Sequence, residues 1–291
     1  TSAVGQQILA GLGDSLEQIL DQAETKEFQA SSLNFRLRGR IRSEVHHIDT
    51  RNVIAMLEGS DPVKKFEAVL YTAHWDHLGV GVSKDGDAIY NGAVDNATGT
   101  AILLEIARVW GQTNPKPMRS IIFAAVGAEE GGLRCSEYYA RHPVVSAGKT
   151  AVNLNYDGLF PFGQTSDISL PGYERTTLRL VVEETAREFN LTLRPDAHPE
   201  QGYYYRSDHF SFAKMGIPAF SLGMGVNYVG KPEGWGLEAD EEYRTNHYHQ
   251  PSDEFDPAWD FSGLEIIASF GYVLGSKVAN RPELPTWKTG D

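Results

Sequence analysis

Five short stretches of the chain carry side chains that can bind a transition metal. The candidate ligands are His74, Asp95, Glu130, Asp157 and His249. Imidazole nitrogens and carboxylate oxygens together suit zinc well, and two metal ions held by such a set can activate a water molecule for hydrolysis. The set therefore predicts one divided two-metal site of the kind found in hydrolases.

Three of the stretches have the same form, an apolar run typical of a strand that stops at a polar residue. The runs cover residues 68–73 before His74, 121–126 before Glu129, and 151–156 before Asp157. In open α/β sheets, sites form beyond the carboxyl ends of the strands. The runs therefore predict a common sheet edge on which these side chains meet.

Acidic neighbours support two of the histidines as ligands. Asp76 follows His74 by two residues, and Asp253 follows His249 by four. A ligating imidazole commonly donates its other N–H to a carboxylate, which fixes the tautomer. A histidine near an acid is more often an ordinary hydrogen-bonded residue, so neither pair decides the question alone.

Asp95 and the pair Glu129–Glu130 each allow two interpretations. Asp95 begins a predicted helix, where aspartate is a good N-cap, but its two oxygens could also bridge two metals. Glu129–Glu130 could be only a charged turn. Two adjacent acids at a strand end point in different directions, so that one can bind metal while the other takes a proton from water.

The composition permits such an enzyme and argues against some other classes. The 291 residues, 41% of them hydrophobic, suffice for one large α/β domain. The net charge of -13, with no basic stretch to offset it, argues against a nucleic-acid partner. The single cysteine, Cys135, assigns no redox compartment. No apolar run is long enough to span a membrane, and because the chain begins at Thr1 we expect any targeting segment to have been removed.

Hydrophobic periodicity predicts an alternation of helices and strands. Helices are predicted over residues 6–24, 97–110, 174–189 and 261–278, and further strands over residues 35–41, 52–58 and 217–222. Residues 223–245 lack a clear period, which predicts a long loop of the kind that is usually functional or mobile. We expect one domain over residues 1–291, with residues 1–50 leading into it.

Six motifs occur in an order that is found in one family. They are His74-Trp75-Asp76, residues 92–99, residues 128–133, Asn155-Tyr156-Asp157, Ser207-Asp208-His209 and residues 248–253. Over residues 45–278 the chain resembles the co-catalytic zinc aminopeptidases of metallopeptidase family twenty-eight. No single motif is specific, but the combination is.

The resemblance implies both a fold and a metal centre. The fold is one α/β domain of the phosphorylase/hydrolase-like, zinc-exopeptidase type, with a mixed, mostly parallel central sheet and helices on both faces. The metal centre holds two zinc ions: His74 and Asp157 bind one, Glu130 and His249 bind the other, and Asp95 bridges them.

The resemblance also implies roles for neighbouring side chains. Glu129 resembles the general base and acid, and Asp76 and Asp253 resemble partners of the ligand histidines. Tyr248 is similar to a tyrosine that hydrogen-bonds the oxyanion, and Asp208 to a residue that braces the site or the substrate. The implied substrate is a peptide, hydrolysed at its N-terminal bond, and the implied location is outside the cytoplasm.

The chain departs from the family pattern in two places. Relatives often have Gly-Ser where this chain has Cys135-Ser136, which affects local packing. Many exported relatives also carry a protease-associated domain, for which residues 1–50 are too few. We therefore expect that domain to be absent or to lie upstream.

Three alternatives to an aminopeptidase stay open. A carboxypeptidase or dipeptidase needs the same metal site, and Arg206 could meet a substrate carboxylate. A glutaminyl cyclase uses a related scaffold with one zinc. A non-catalytic binding module should have lost ligands, whereas this chain has lost none. Specificity, native metal and oligomeric state are not determined, although several aromatic residues could line a pocket: Phe160, Phe162, Tyr203, Tyr204, Tyr205, Phe210 and Trp235.

Overall fold

The protein is represented by a computed structural model, which describes residues 2–10, 15–30, 32, 36, 38–45, 47–196 and 202–290. The chain divides into two compact units, residues 1–48 and residues 49–291. Every candidate site residue belongs to the second unit. One domain over residues 1–291 stays a prediction.

The first unit contains two helices, α1 (Ser2–Ala10) and α2 (Leu16–Ala23). They occupy the region predicted as a single helix over residues 6–24, of which residues 11–14 lie outside the described part. The strand predicted over residues 35–41 has no described counterpart. Phe35 and Leu37 lie outside the described residues, and residues 38–41 have no regular secondary structure.

The second unit contains the remaining strands and helices of the described residues. The strands are β1 (Val53–Leu57), β2 (Ala68–His74), β3 (Gly79–Lys84), β4 (Asp87–Tyr90), β5 (Ser120–Val126), β6 (Thr150–Asn155), β7 (Asp167–Ser169), β8 (Thr192–Arg194), β9 (Ala219–Ser221) and β10 (Gly223–Met224). The helices are α3 (Thr98–Gln112), α4 (Arg134–Arg141), α5 (Arg179–Glu188), α6 (His209–Ala213), α7 (Trp235–Asn246) and α8 (Ser262–Asn280).

The central sheet has the strand order β1-β5-β2-β6-β9. Strand β2 is parallel to β5 and β6, and β6 is parallel to β9, whereas the edge strand β1 is antiparallel to β5. This confirms the predicted mixed, mostly parallel sheet. Strands β3 and β4 form a separate hairpin, and β10, β7 and β8 form a small second sheet.

Alternate residues of the central strands enter two separate cores, because successive side chains of a strand point to opposite faces. Val69 and Tyr71 lie in the core that includes residues of α3 and α8. Leu70 lies in the other core, with Phe212 of α6. Helices therefore cover both faces of the sheet, as predicted, and β2 is buried along its whole length.

Two predicted elements differ in their bounds. The helix predicted over residues 174–189 begins later, as α5, because a 3₁₀ turn precedes it and the hydroxyl of Thr176 accepts a hydrogen bond from the N–H of Leu178. The strand predicted over residues 217–222 is shorter, as β9.

The prediction of a continuous loop over residues 223–245 was wrong. This segment begins with β10 and ends within α7. Only Gly236 and Tyr243 of α7 are buried, so the helix has no apolar stripe by which its period could be recognised. None of the described helices is both long enough and apolar enough to cross a membrane.

Arg119 ties the end of α8 to the start of β5. Its side chain is fully buried, and its Nε donates a hydrogen bond to Oε2 of Glu67 at 2.6 Å. Its remaining nitrogens donate to the carbonyl oxygens of Val278, Arg281 and Glu283. The guanidinium thus donates hydrogen bonds to carbonyl groups at the end of α8, which would otherwise have no partner.

We expect Arg119→Ala to lower the free energy of unfolding by about 3 kcal/mol, because it removes one partner of a buried ion pair and orphans carbonyl groups. Urea denaturation measures this change. The control is Arg108→Ala, since Arg108 forms an exposed pair with Glu105 on α3 and should affect stability little. Equal, small effects of the two substitutions would contradict this role of Arg119.

Candidate metal centre

The structure brings the five predicted ligands together beyond the carboxyl edge of the central sheet. Strand β2 ends at His74, Glu130 follows β5, and Asp157 follows β6. Asp95 lies in the irregular segment before α3, and His249 follows α7. The ends of three neighbouring strands therefore supply three of the five side chains, as the sequence pattern predicted.

One group of side chains, here called the His74 position, consists of His74, Asp95 and Asp157. The Nε2 atom of His74 lies 3.2 Å from Oδ1 of Asp95 and 3.1 Å from Oδ1 of Asp157. The three side chains are close enough to hold one metal ion.

A second group, here called the His249 position, consists of Asp95, Glu130 and His249. The Nε2 atom of His249 lies 3.4 Å from Oδ2 of Asp95 and 3.1 Å from Oε2 of Glu130. The two oxygens of Asp95 therefore face different positions. A carboxylate that bridges two metals needs this arrangement.

His77 also reaches the second group, although the sequence analysis did not identify it. Its Nδ1 atom lies 2.7 Å from Oε1 of Glu130, and His77, Asp95 and Glu130 form a second set of potential metal ligands. A signal was present in the sequence, because His74 and His77 flank Asp76 within four residues.

Asp76 contacts both a predicted ligand and the predicted base. The Nδ1 of His74 is 3.1 Å from the carbonyl oxygen of Asp76. Because a carbonyl oxygen only accepts, Nδ1 carries a hydrogen, and Nε2 is the nitrogen that faces the acids and is placed to bind a metal. The Asp76 carboxylate is 3.8 Å from the same Nδ1 and accepts a hydrogen bond from the backbone N–H of Glu129 at 3.2 Å.

Asp253 has different partners from those expected. Its carboxylate accepts hydrogen bonds from the backbone N–H groups of Val94 and Asp95 at 3.0 and 3.1 Å, and from the hydroxyl of Tyr243 at 3.0 Å. None of its hydrogen bonds in the described structure goes to His249. Asp253 therefore holds the backbone that carries Asp95 instead of orienting the histidine.

Ser207 and Tyr248 directly contact predicted ligands. The hydroxyl of Ser207 donates a hydrogen bond to Asp157 and accepts one from Nδ2 of Asn155 at 2.8 Å. The ring of Tyr248 stacks on His249, with ring centroids 3.9 Å apart. Burial raises the pKa of Tyr248, so its hydroxyl stays protonated and can donate.

Asp208 and His209 are buried beside Ser207. Burial raises the pKa of Asp208 to about 7 and lowers the pKa of His209 to about 4, because burial disfavours the charged form of each group. Both side chains are less than 2% exposed. A bracing role for Asp208 stays a prediction.

The crowded acids make the centre favourable for a cation. Asp95 and Glu130 raise the pKa of His249 to about 9. Burial opposes charge on His74, yet Asp157 and Asp95 raise its pKa well above the usual value. Both shifts have the same cause, which is negative charge that the protein concentrates at one place.

Buried polar atoms without hydrogen-bond partners also indicate that the centre can bind a metal. Within the described part of the chain, Oε1 of Glu130 and Nε2 of His249 are buried and lack a hydrogen-bond partner. Buried polar atoms without partners are rare in folded proteins, and a bound cation would satisfy both. Each of the two positions offers three carboxylate or imidazole side chains, and catalytic zinc sites have three protein ligands.

A cavity of about 640 Å³ opens on the centre. Of the aromatic residues proposed as pocket candidates, Phe160 and the three tyrosines at 203–205 line it, whereas Phe162, Phe210 and Trp235 are not among the lining residues. Arg206 also lines it. The segment that begins at Gly223 contributes to the wall, so it does border the cleft.

Comparison with known proteins identifies the family. The model of Peptidase family M28 matches residues 52–267, which is most of the chain. The chain therefore belongs to peptidase family M28, and the predicted family is confirmed.

Individual relatives match this chain over part of their own length. Leupeptin-inactivating enzyme 1 from Streptomyces exfoliatus is 28% identical over 206 residues, which cover 69% of this chain and 42% of the relative. The structure of BSAP, a zinc aminopeptidase from Bacillus subtilis, aligns with a TM-score of 0.56 at 23% identity, over 79% of this chain and 50% of that chain. A glutaminyl cyclase from Porphyromonas gingivalis aligns with a TM-score of 0.54 at 20% identity, over 78% and 77%.

The Bacillus subtilis and Porphyromonas gingivalis structures show only the fold of this chain, since an aminopeptidase and a cyclase share that fold. The chain spans about half of the length of BSAP and less than half of the Streptomyces enzyme.

We expect Ser207→Ala to weaken zinc binding at the His74 position by about 10–100-fold, because the hydroxyl that orients Asp157 is lost. Zinc competition with a chromogenic chelator measures the affinity. The control is Ser211→Ala, which removes another buried hydroxyl, one that accepts a hydrogen bond from Ser136 and contacts no predicted ligand. Unchanged affinity in Ser207→Ala would show that Asp157 needs no such support.

Proposed function

We propose that the chain is a two-zinc aminopeptidase that hydrolyses the N-terminal bond of peptides. The observation that carries this proposal is the position of Asp95, whose two oxygens face His74 and His249 separately. Glu129 stands beside this pair of positions and lines the same cavity. Family membership and the name of the Bacillus subtilis neighbour support zinc and aminopeptidase activity.

The two positions would hold the metals as follows. His74 and Asp157 would bind one zinc, Glu130 and His249 would bind the other, and Asp95 would contribute to both. Bound zinc supplies Lewis acidity, which lowers the pKa of water from about 15.7 toward neutrality and polarises a carbonyl group.

Glu129 is the proposed proton carrier. Burial and the charge of Asp157 raise its pKa to about 9. Positive charge nearby lowers the pKa of a carboxyl group, which brings Glu129 toward the range in which one group can both accept and release a proton. Glu129 would take a proton from the attacking water and deliver it to the leaving amine, while the hydrogen bond from its backbone N–H to Asp76 fixes its backbone.

Two further features support a peptide with a free amino group as the substrate. The hydroxyl of Tyr248 can donate to the oxyanion that forms at the scissile carbonyl, because its ring lies against His249 at the cavity wall. The free amino group of a peptide would bind at the zinc and carboxylate cluster. Export from the cytoplasm completes the proposal and is supported only by the family resemblance.

We expect Glu129→Gln to lose about 10²–10⁴-fold in turnover while it keeps both zinc ions, because the amide cannot carry the proton but leaves the ligands in place. Turnover is measured on aminoacyl chromogenic amides, and metal content by elemental mass spectrometry. Glu137→Gln on α4 is the control, since Glu137 is paired with Arg141 away from the centre. Full activity of Glu129→Gln would remove Glu129 from the mechanism.

The same substrates test the reaction class in the parent protein. An aminopeptidase cleaves free-amine substrates and leaves N-acylated controls intact, and it tolerates a C-terminal amide. Cleavage that needs a free carboxylate would instead indicate a carboxypeptidase or dipeptidase. One zinc per chain and no cleavage, with cyclisation of N-terminal glutamine, would indicate a cyclase.

A further inference from the structure

His77 has the features of a buried metal ligand. It lies in the connection between β2 and β3, and its side chain is only 7% exposed. Neither ring nitrogen has a hydrogen-bond partner within the described part of the chain. An imidazole buried without partners is costly, so its surroundings must offer something else to bind.

The ring points at the His249 position. Its Nδ1 atom approaches Oε1 of Glu130 to 2.7 Å without hydrogen-bond geometry, and its ring meets that of His249 edge to face, with centroids 5.6 Å apart. The structure places one ligand atom each of His77, Asp95 and Glu130 within 4.8 Å of one another. The three side chains are therefore close enough to share one cation.

The turn before Asp95 has a glycine where a larger residue would collide with the His77 ring. A Cβ atom on Gly92 would lie 2.6 Å from Cγ of His77 and 2.9 Å from its Cβ. Gly92 also has a φ of +67°, which favours glycine. The backbone that carries Asp95 can therefore pack directly against the His77 ring, which fixes the ring beside the acids.

We propose that His77 is a fourth protein ligand at the His249 position, and this inference rests on the two-zinc function proposed above. With His77, that position has four protein ligands: Asp95, Glu130, His249 and His77. The His74 position has three. Four protein ligands close a zinc site, whereas three leave a coordination place open.

The unequal ligand number assigns different tasks to the two positions. The His249 position binds its ion more tightly and exchanges it more slowly. The His74 position keeps the open place, and one of its members, Asp157, acts on Glu129 by its charge. The ion at the His74 position is therefore the one lost first to a chelator.

The test measures zinc binding and not activity. Stepwise removal of zinc from the two-zinc protein by a competing chelator gives two affinities, and ¹⁵N NMR of the histidine rings shows which imidazoles bind zinc. We expect a metal-dependent shift for His77 in the parent protein. We expect His77→Ala to weaken the tighter of the two affinities by about 10–100-fold.

Two further variants separate a ligand from a structural role. His77→Gln keeps a polar side chain that can donate a hydrogen bond to Glu130 but binds zinc poorly, so its zinc affinity should be weakened as in His77→Ala. His142→Ala, which removes a surface histidine that stacks on Tyr138, should leave both affinities unchanged.

Different outcomes overturn different claims. If the parent protein binds two zinc ions and His77→Ala or His77→Gln keeps both affinities, or if the His77 ring shows no metal-dependent shift, the His77 assignment is overturned and the proposed function stands. If the parent protein binds fewer than two zinc ions, the proposed two-zinc function fails and this assignment fails with it.

Discussion

The shared carboxylate of Asp95 is the constraint on which the rest of the centre depends. Its two oxygens face histidines from opposite ends of the chain segment that forms the site, so any displacement of Asp95 disturbs both positions. Asp253 holds the backbone N–H of Asp95. The next residue, Asn96, donates to the carbonyl of Tyr156 and accepts from the N–H of Gly158. These hydrogen bonds lock the Asp95 segment to the segment that carries Asp157.

Burial of several acids at one place has a cost that the fold alone does not offset. Desolvation and mutual repulsion disfavour the charged carboxylates, and the shifted pKa values of His74 and His249 show that the imidazoles offset part of this charge. The buried strand β2 and the two cores around it hold the acids together. Because a cation binds the folded centre and not the unfolded chain, it would add to stability as well as supply chemistry.

The sequence was most informative where function coincides with a simple local pattern. His74 and Asp157 come at the ends of apolar runs, so the type of element and the edge of the sheet could be predicted. The pairing of Asp253 could not, because it depends on how segments more than 150 residues apart meet. Helix α7 could not be predicted either, because it lacks an apolar stripe. His77 lies three residues after His74, but that spacing alone did not identify it, and the burial of its ring shows that it belongs to the centre.

Diffraction from crystals of the zinc-loaded protein at the zinc absorption edge tests the central claim most directly, since anomalous scattering locates each ion independently of the protein atoms. The account predicts two peaks, roughly 3.5–4 Å apart, with one oxygen of Asp95 bound to each. A single peak, or two peaks of which one has no contact with Asp95, would contradict it.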